Sequence, residues 1–487
     1  MSSNLFKMIG GVRPGKSVFD LSYEKKLTCD MGQLIPVMCD EVVPGDYWKI
    51  GNQAIIRFQP MVAPILHQVD MFVHYFFVPY RLLWDDWEEF ITGGVNGDDT
   101  TAIPTWEPSD TTEGSLWDYL GFPTGVDPDG AYPIDFPRRA YNFVYNEYYR
   151  DENLITEVVL TNETILRRAW EKDYFTSSLP WQQRGVSPAL PIAGSTNAEW
   201  VLSASTGTSF NMVGDTIDYN PRNSGSVNVL NNNTVDLSVA STFDIADLRI
   251  AFQIQKWMER NARAGVRYTE FLKAHFGVSP RDDRLDRPEY IGGSKAPVIF
   301  SEVLQTSSTD ATTPQGNLAG HGIVASENFC GKYRAEEYGL IIGIMSIMPK
   351  PAYQQGINRQ WLKDNRYDFF FPEFANLSEQ AITRAEIYAS GVPAENATIF
   401  GYQGRYDEMR IKHNMVCGQM RSTFDYWHMG RVFTSAPELN QTFIECNPTK
   451  RIFAVESDPG LIVQFGNLIK AFRPLPVIAE PGLIDHV

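Results

Sequence analysis

Proline and glycine interrupt this chain so often that long regular elements are largely excluded. Thirty prolines and 37 glycines are spread over 487 residues. The apolar segments between them are short and rich in β-branched and aromatic residues, as strands are. Pro36, Pro44-Gly45, Gly51, Pro60 and Pro64 break up the start of the chain. Ala54–Phe58 and Val69–Val78 read as strands, the second closed by Pro79. Tyr338–Met348 reads as a buried strand, and its apolar run is about half of the roughly 20 residues a membrane span needs. Helical spacing is confined to a few places. Leu83, Trp87, Phe90 and Ile91 fit one helix, and 138–150 and 163–173 fit two short amphipathic ones. The clearest helix is expected from about Asp244, a plausible N-cap, to Phe276, with Leu248, Ala251, Ile254, Met258 and Ala262 as its apolar stripe. Strands scattered along the whole chain, with long loops and helices between them, predict a mainly β fold. The architecture expected is a sandwich with expanded loops rather than βαβ repetition.

Composition narrows the function. Lys and Arg number 42 against 59 Asp and Glu, a net charge of −17. That balance argues against a free-standing nucleic-acid binder, while leaving room for a local basic surface. The N-terminus shows no charged segment followed by an apolar one, so no secretory signal is expected. Cys29, Cys39, Cys330, Cys417 and Cys446 are odd in number and widely spaced. They predict free thiols in a reducing cytoplasm and no zinc site.

The motifs are weak as chemistry. Gly10–Ser17 fits the GxxxxGK[ST] pattern, but only nine residues precede it, Val18–Tyr23 does not look helical, and Pro14 lacks an N–H to donate. The segment is expected instead to be an N-terminal arm, residues 1–27. Its Lys7, Arg13, Lys16, Lys25 and Lys26 against Asp20 and Glu24 leave a local +3. On the long helix Arg249, Gln253, Lys256, Arg260, Arg263 and Arg267 recur at steps of three and four. Three readings fit such a stripe: a solvated face, a salt-bridged subunit contact, or phosphate contact. Acidic pairs such as Asp85-Asp86, Glu88-Glu89 and Asp282-Asp283 are sequence neighbours that do not face each other. His67 and His74 stand an odd step apart, and His413 and His428 have no nucleophile in a recognisable context. No active site, metal site or cofactor is expected. The enzyme alternative is a carbohydrate-active β-sandwich, suggested by the 13% aromatic content and the acidic charge.

Residues 186–243 differ from the rest. Ser, Thr, Asn and Gly dominate, five positions are charged, and none is Lys. Recurring apolar residues point to an ordered β-rich surface insertion rather than a linker. Trp200, Phe210 and Tyr219 are candidates for its small core or, less favoured, for glycan stacking.

Several segments resemble the major capsid proteins of microviruses of the gokushovirus type. They include Phe19–Pro36, Glu41–Asp46, Phe58–Pro64, His74–Pro79, Trp84–Gly94, Arg139–Asn142, Tyr149–Asn153 and Asp173–Ser177. Ala251–Gln255, Arg287–Gly293, Tyr353–Gly356, Arg421–Thr423, Arg473–Pro476 and Pro481–His486 continue the series in order. The resemblance implies an eight-stranded viral jelly roll over 28–487, with long inserted loops and several helices. It implies about sixty copies in a T=1 icosahedral virion around a circular single-stranded DNA genome, assembled in the cytoplasm of a bacterial host. Other partners implied are a small basic packaging protein, a spike or pilot minor capsid protein and a host-surface receptor. Within it, 186–243 would be a threefold protrusion. The arm lysines and arginines, with Arg249, Lys256, Arg260 and Arg263, would face the DNA. Sixty copies at −17 each carry about −1020, to which the genome adds roughly one charge per phosphate, so cations or the basic protein must supply the balance.

Overall fold

The computed structural model describes residues 15–97, 99–188, the backbone of 211–213, 216–218 and 245–246, and residues 247–265, 267–304, 306 and 318–478. The chain divides into two compact units, one of Met1–Gln182 with Ala264–Val487 and one of Gln183–Arg263.

In chain order the described strands begin with β1 (Ser17–Asp20), β2 (Tyr23–Cys29), β3 (Ile35–Val42), β4 (Tyr47–Phe58) and β5 (Val69–Pro79). Then come β6 (Asn211–Val213), β7 (Thr216–Asp218), β8 (Glu289–Pro297), β9 (Ile299–Leu304), β10 (Leu318–Arg334) and β11 (Gly339–Pro349). Last are β12 (Ala352–Tyr353), β13 (Glu379–Thr383), β14 (Ile399–Gly404), β15 (Asn414–Met415) and β16 (Leu461–Arg473). The helices used below are α1 (Trp87–Thr92), α2 (Leu116–Tyr119), α3 (Phe136–Val144), α4 (Ile245–Ala264) and α5 (Tyr268–Phe276).

In the first unit two antiparallel sheets hold the core. One runs β2–β16–β4–β10 and the other β3–β11–β5–β8, with β1 beside β16 and β9 beside β10. Successive strands of these eight switch sheets, except β5 and β8, which pair within one sheet. Each sheet draws pairs from distant parts of the chain, in keeping with a jelly roll. With β1 and β9 the sandwich has ten strands among the described residues. Most of 17–27, expected as part of an arm, is strand: β1 and most of β2 pair with β16.

Burial explains the sequence patterns. In β16 side chains alternate buried and exposed from Leu461 to Ala471, because one face meets the core and the other lies open. In β11 all eleven residues are buried. Ile341, Met345 and Ile347 join the cluster between the sheets, with Trp48, Ile50, Val73 and Phe465. Leu340, Ile342 and Ile344 pack on the other side against Trp106, Trp117, Phe136 and Tyr141 of the loop and helix layer. A strand covered on both faces is nearly continuous in apolar residues, and each large apolar side chain contributes about 1.5–3 kcal/mol of burial. The one polar side chain, Ser346, accepts a hydrogen bond from Arg168.

Two helix expectations are corrected. The helix expected from about Asp244 to Phe276 is two, α4 and α5, interrupted at Gly265, whose φ of +103° is a left-handed conformation that a helix interior does not contain. Residues 163–173 are extended rather than helical. Their backbone groups serve distant partners: Leu34 N–H donates to Leu166 O at 2.9 Å, Arg168 N–H to Gly32 O at 2.9 Å, and Trp170 N–H to Ile444 O at 2.9 Å. In the second unit β6 and β7 form an antiparallel hairpin, and α4 is its long helix.

Candidate functional site

The histidines weighed and set aside as candidates for chemistry are mostly engaged in holding loops. One cleft, about 610 Å³, is lined by His67, Asp173, Lys350, His413 and His428 among others. His67 Nε2 lies 2.6 Å from Lys350 O, and His428 Nε2 lies 2.7 Å from Met420 O while its Nδ1 accepts from Gly430 N–H at 2.9 Å. Asp173 accepts from Phe175 N–H and Thr176 N–H through Oδ1 and from Tyr353 Oη–H through Oδ2, at 2.8–2.9 Å. Burial pushes the pKa values of His67, His413 and His428 down. Outside this cleft, His74 is pushed down to about 4 by burial and then by Arg168, its Nδ1 2.8 Å from Tyr149 Oη. His67, His74 and His428 thus serve as anchors; Cys417, a free thiol, lines the same cleft as His413 and His428. Among the described residues no group of three or more His, Cys, Asp or Glu side chains is placed to hold a metal ion. No helix among them is long and apolar enough to cross a membrane. All five cysteines are free thiols, with Cys29 and Cys446 buried.

The phosphate-loop pattern fails structurally as well. The residues from Ser17 onward form strand β1 rather than a helix, and Lys16 Nζ donates to Gly45 O.

The arm and helix candidates separate. Lys7 and Arg13 lie outside the described residues. Lys16, just before β1, and Lys26, opposite Gln464 across the β2–β16 pair, are exposed. Lys25 points the other way, into the protein: its ammonium donates to Pro36 O at 3.0 Å and to Tyr119 O, and burial pulls its pKa down to about 8. It is therefore removed from the phosphate-facing set. Strand parity is the reason, since neighbours in β2 point to opposite faces. Arg249, Lys256, Arg260 and Arg263 are exposed on α4. Arg267 leaves that stripe: it follows Gly265, and its guanidinium lies 3.7 Å from Glu152 and 3.5 Å from Glu270. Trp200, Phe210 and Tyr219 lie outside the described residues.

The segments that carry the capsid resemblance are structural joints. Arg138 grips Asp135 through two hydrogen bonds of 2.6 and 2.9 Å, and Arg139 adds a third at 2.7 Å. Tyr141 Oη–H donates to Leu34 O at 2.9 Å and accepts from Leu166 N–H at 3.0 Å. Asn142 Nδ2 donates to the carbonyls of Leu160 and Asn162 at 2.9 and 2.8 Å. Gly32, at φ +81°, lies so close to Cys446 that a Cβ would stand 1.9 Å from its carbonyl oxygen. Sequence reasoning missed the buried ion clusters altogether. Asp46 accepts from Trp48 Nε1–H and Arg473 Nε–H, both at 3.0 Å. Partners 427 residues apart leave no spacing signal.

A two-sheet sandwich in jelly-roll order is a build that virus-shell subunits share with other proteins. The chain belongs to the family described as capsid protein (F protein), whose model matches residues 8–483. It is similar to capsid protein VP1 of Bdellovibrio phage phiMH2K, 36% identical over 98% of this chain and 97% of the relative. It is also similar to capsid protein VP1 of Chlamydia phage 1, 33% identical over 99% and 98%, and of Spiroplasma virus 4, 29% identical over 98% and 97%. The gokushovirus-like assignment stands. The chain is a structural protein of the virion and not an enzyme, so the carbohydrate-active alternative falls.

Proposed function

We propose that about sixty copies of this chain close into a T=1 icosahedral shell around a circular single-stranded DNA genome. The reading is carried by the match to phage capsid proteins along almost the whole chain. The jelly roll supports it mechanically: a rigid sandwich leaves long loops free to meet neighbours on several sides. Assembly takes place in the cytoplasm of a bacterial host, with a small basic protein offsetting the charge of −17 per copy and a spike or pilot protein as a minor component. The insertion at 186–243 faces outward and attaches to the host receptor. Its lack of Lys makes it a poor phosphate ligand, and loops on a rigid scaffold are where recognition usually resides. Lys16 and Lys26, with Lys7 and Arg13 from the arm and the basic face of α4, serve the genome side.

Expressed with its partner proteins, the chain should sediment as large uniform particles in negative stain. Nuclease-protected nucleic acid extracted from them should be cut by a single-strand-specific nuclease and resist exonuclease. A small soluble oligomer under these conditions, or particles holding linear duplex, would overturn the reading.

A further inference from the structure

We propose that the open face of the larger sheet is a contact site for single-stranded nucleic acid, with Lys49, Lys332 and Lys470 on phosphates and Tyr47, Phe472 and Phe329 against bases. The inference rests on the genome-enclosing reading above and gives it a site.

Register brings the lysines together. Lys470 lies directly opposite Lys49, and Lys49 directly opposite Lys332, so three ammonium groups cross three neighbouring strands in one row. Directly opposed residues share a face. Trp48 and Ile50 on either side of Lys49 are buried, so that face is the open one. Lys332 reaches it only because β10 has a bulge between Phe329 and Gly331. Before the bulge odd-numbered residues such as Phe329 face out; after it, even-numbered ones do.

Such a row opposes folding, because like charges directly across a sheet repel. None of the three ammonium groups has an ion pair among the described residues. The nearest opposing carboxylate in register is Asp20, across from Lys470 on β1, and its oxygen is taken up by Ser22 N–H at 3.1 Å and Ser22 Oγ–H at 2.6 Å. A concentrated patch of positive charge on a chain of net −17 draws a polyanion to one place.

Aromatic rings decide which polyanion. Tyr47 and Phe472 pair across the strands on one side of the row, ring centroids 5.6 Å apart, and Lys49 Nζ lies 5.5 Å from the Phe472 ring. On the other side Phe329 is 64% exposed, with Lys332 Nζ 5.9 Å from its ring. Gly51, opposite both Phe329 and Leu468, leaves the next row without a central side chain. Cationic groups bounded by rings suit a strand that offers phosphates and π-faces together, and stacking of this kind is indifferent to sequence. An acidic protein surface would use the lysines and leave the rings in water.

The test measures anisotropy of a fluorescent oligothymidylate on the full-length chain over a salt series. The triple variant Lys49→Gln, Lys332→Gln, Lys470→Gln should lose about 2 from the slope of log K against log salt, at about 0.7 per phosphate contact, and bind at least about tenfold more weakly. Phe329→Leu should weaken binding about fivefold or more with the slope unchanged. Replacing the three lysines by Arg should restore the slope. If the triple Gln variant fails to fold, the exposed single change Lys332→Gln should still remove about a third of the slope difference. An unchanged slope and affinity, or polyglutamate competing as well as the oligonucleotide, would overturn the proposal. Wild-type particles that protect no single-stranded DNA would sink the genome-enclosing reading. Wild-type particles that protect it, with the triple variant packaging the same amount, would sink this site alone.

Discussion

At the scale of single residues, buried ions fix the loops that surround the sandwich. Glu386 accepts from Tyr174 Oη–H at 2.9 Å, Arg359 Nη1–H at 2.7 Å and Thr383 N–H at 3.0 Å. Its side chain is 1% exposed, so removing a partner strands a charge in a poorly solvated place. Arg359→Ala is expected to destabilise the first unit by about 3 kcal/mol, and Tyr174→Phe by about 1.5 kcal/mol, read from denaturation midpoints of the full chain. Glu270 supplies a pH dependence. Burial first, and Glu152 second, raise its carboxyl from an ordinary value of 4.5 to about 7. The folded state therefore holds a proton that the unfolded state has released. That stability is fully present below about 4.5 and is lost as pH rises through about 7. His74, depressed to about 4, has the opposite sign: its contribution is present above about 6.5 and declines as pH falls. The difference in melting temperature between wild type and Glu270→Gln isolates the first effect. It should change steadily between about pH 5 and 7 and level off outside that window.

At the scale of elements, the distinction that matters is how many faces of a strand are covered. Ile342 sits in β11 between the sandwich and the layer of α2 and α3, fully buried. Ile55 sits in β4 on the open face and is 39% exposed. Ile342→Ala should cost about 2–5 kcal/mol, whereas Ile55→Ala should stay within about 0.5 kcal/mol, a contrast thermal unfolding will register. The sequence marks this difference openly: Gly339–Met348 is apolar except for Ser346, while β4 and β16 alternate. It does not mark the fate of 163–173. Their amphipathic pattern suits a helix, yet hydrogen bonds to Gly32, Leu34 and Ile444 claim the backbone, and tertiary partners outweigh local propensity. The split of α4 from α5 was partly legible, since Gly265 stands at the break, but a lone glycine inside a helical pattern is often tolerated.

At the scale of the whole molecule, the four buried clusters are built from residues of the first unit, so the shell-forming sandwich has its own core. Deleting 186–243 and bridging the ends with a short flexible linker should leave particles that still assemble and sediment as wild type, with host attachment reduced at least about tenfold by plaque or adsorption assay. Failure to assemble would assign the insertion to subunit contacts instead.

What the sequence determined by itself was the class of structure and its kinship. Short β-branched segments between prolines and glycines admit a sandwich and little else, and ordered motifs from Phe19 to His486 carry the capsid family. Those are local properties, readable wherever neighbouring residues act together. The tertiary structure alone decided which lysines face outward. Lys25 and Lys26 are adjacent, yet one amine is buried on backbone carbonyls and the other is exposed. Lys49, Lys332 and Lys470 are remote in sequence and meet in one row. Register and a single bulge set that outcome, because sliding a strand by one residue turns every side chain to the opposite face.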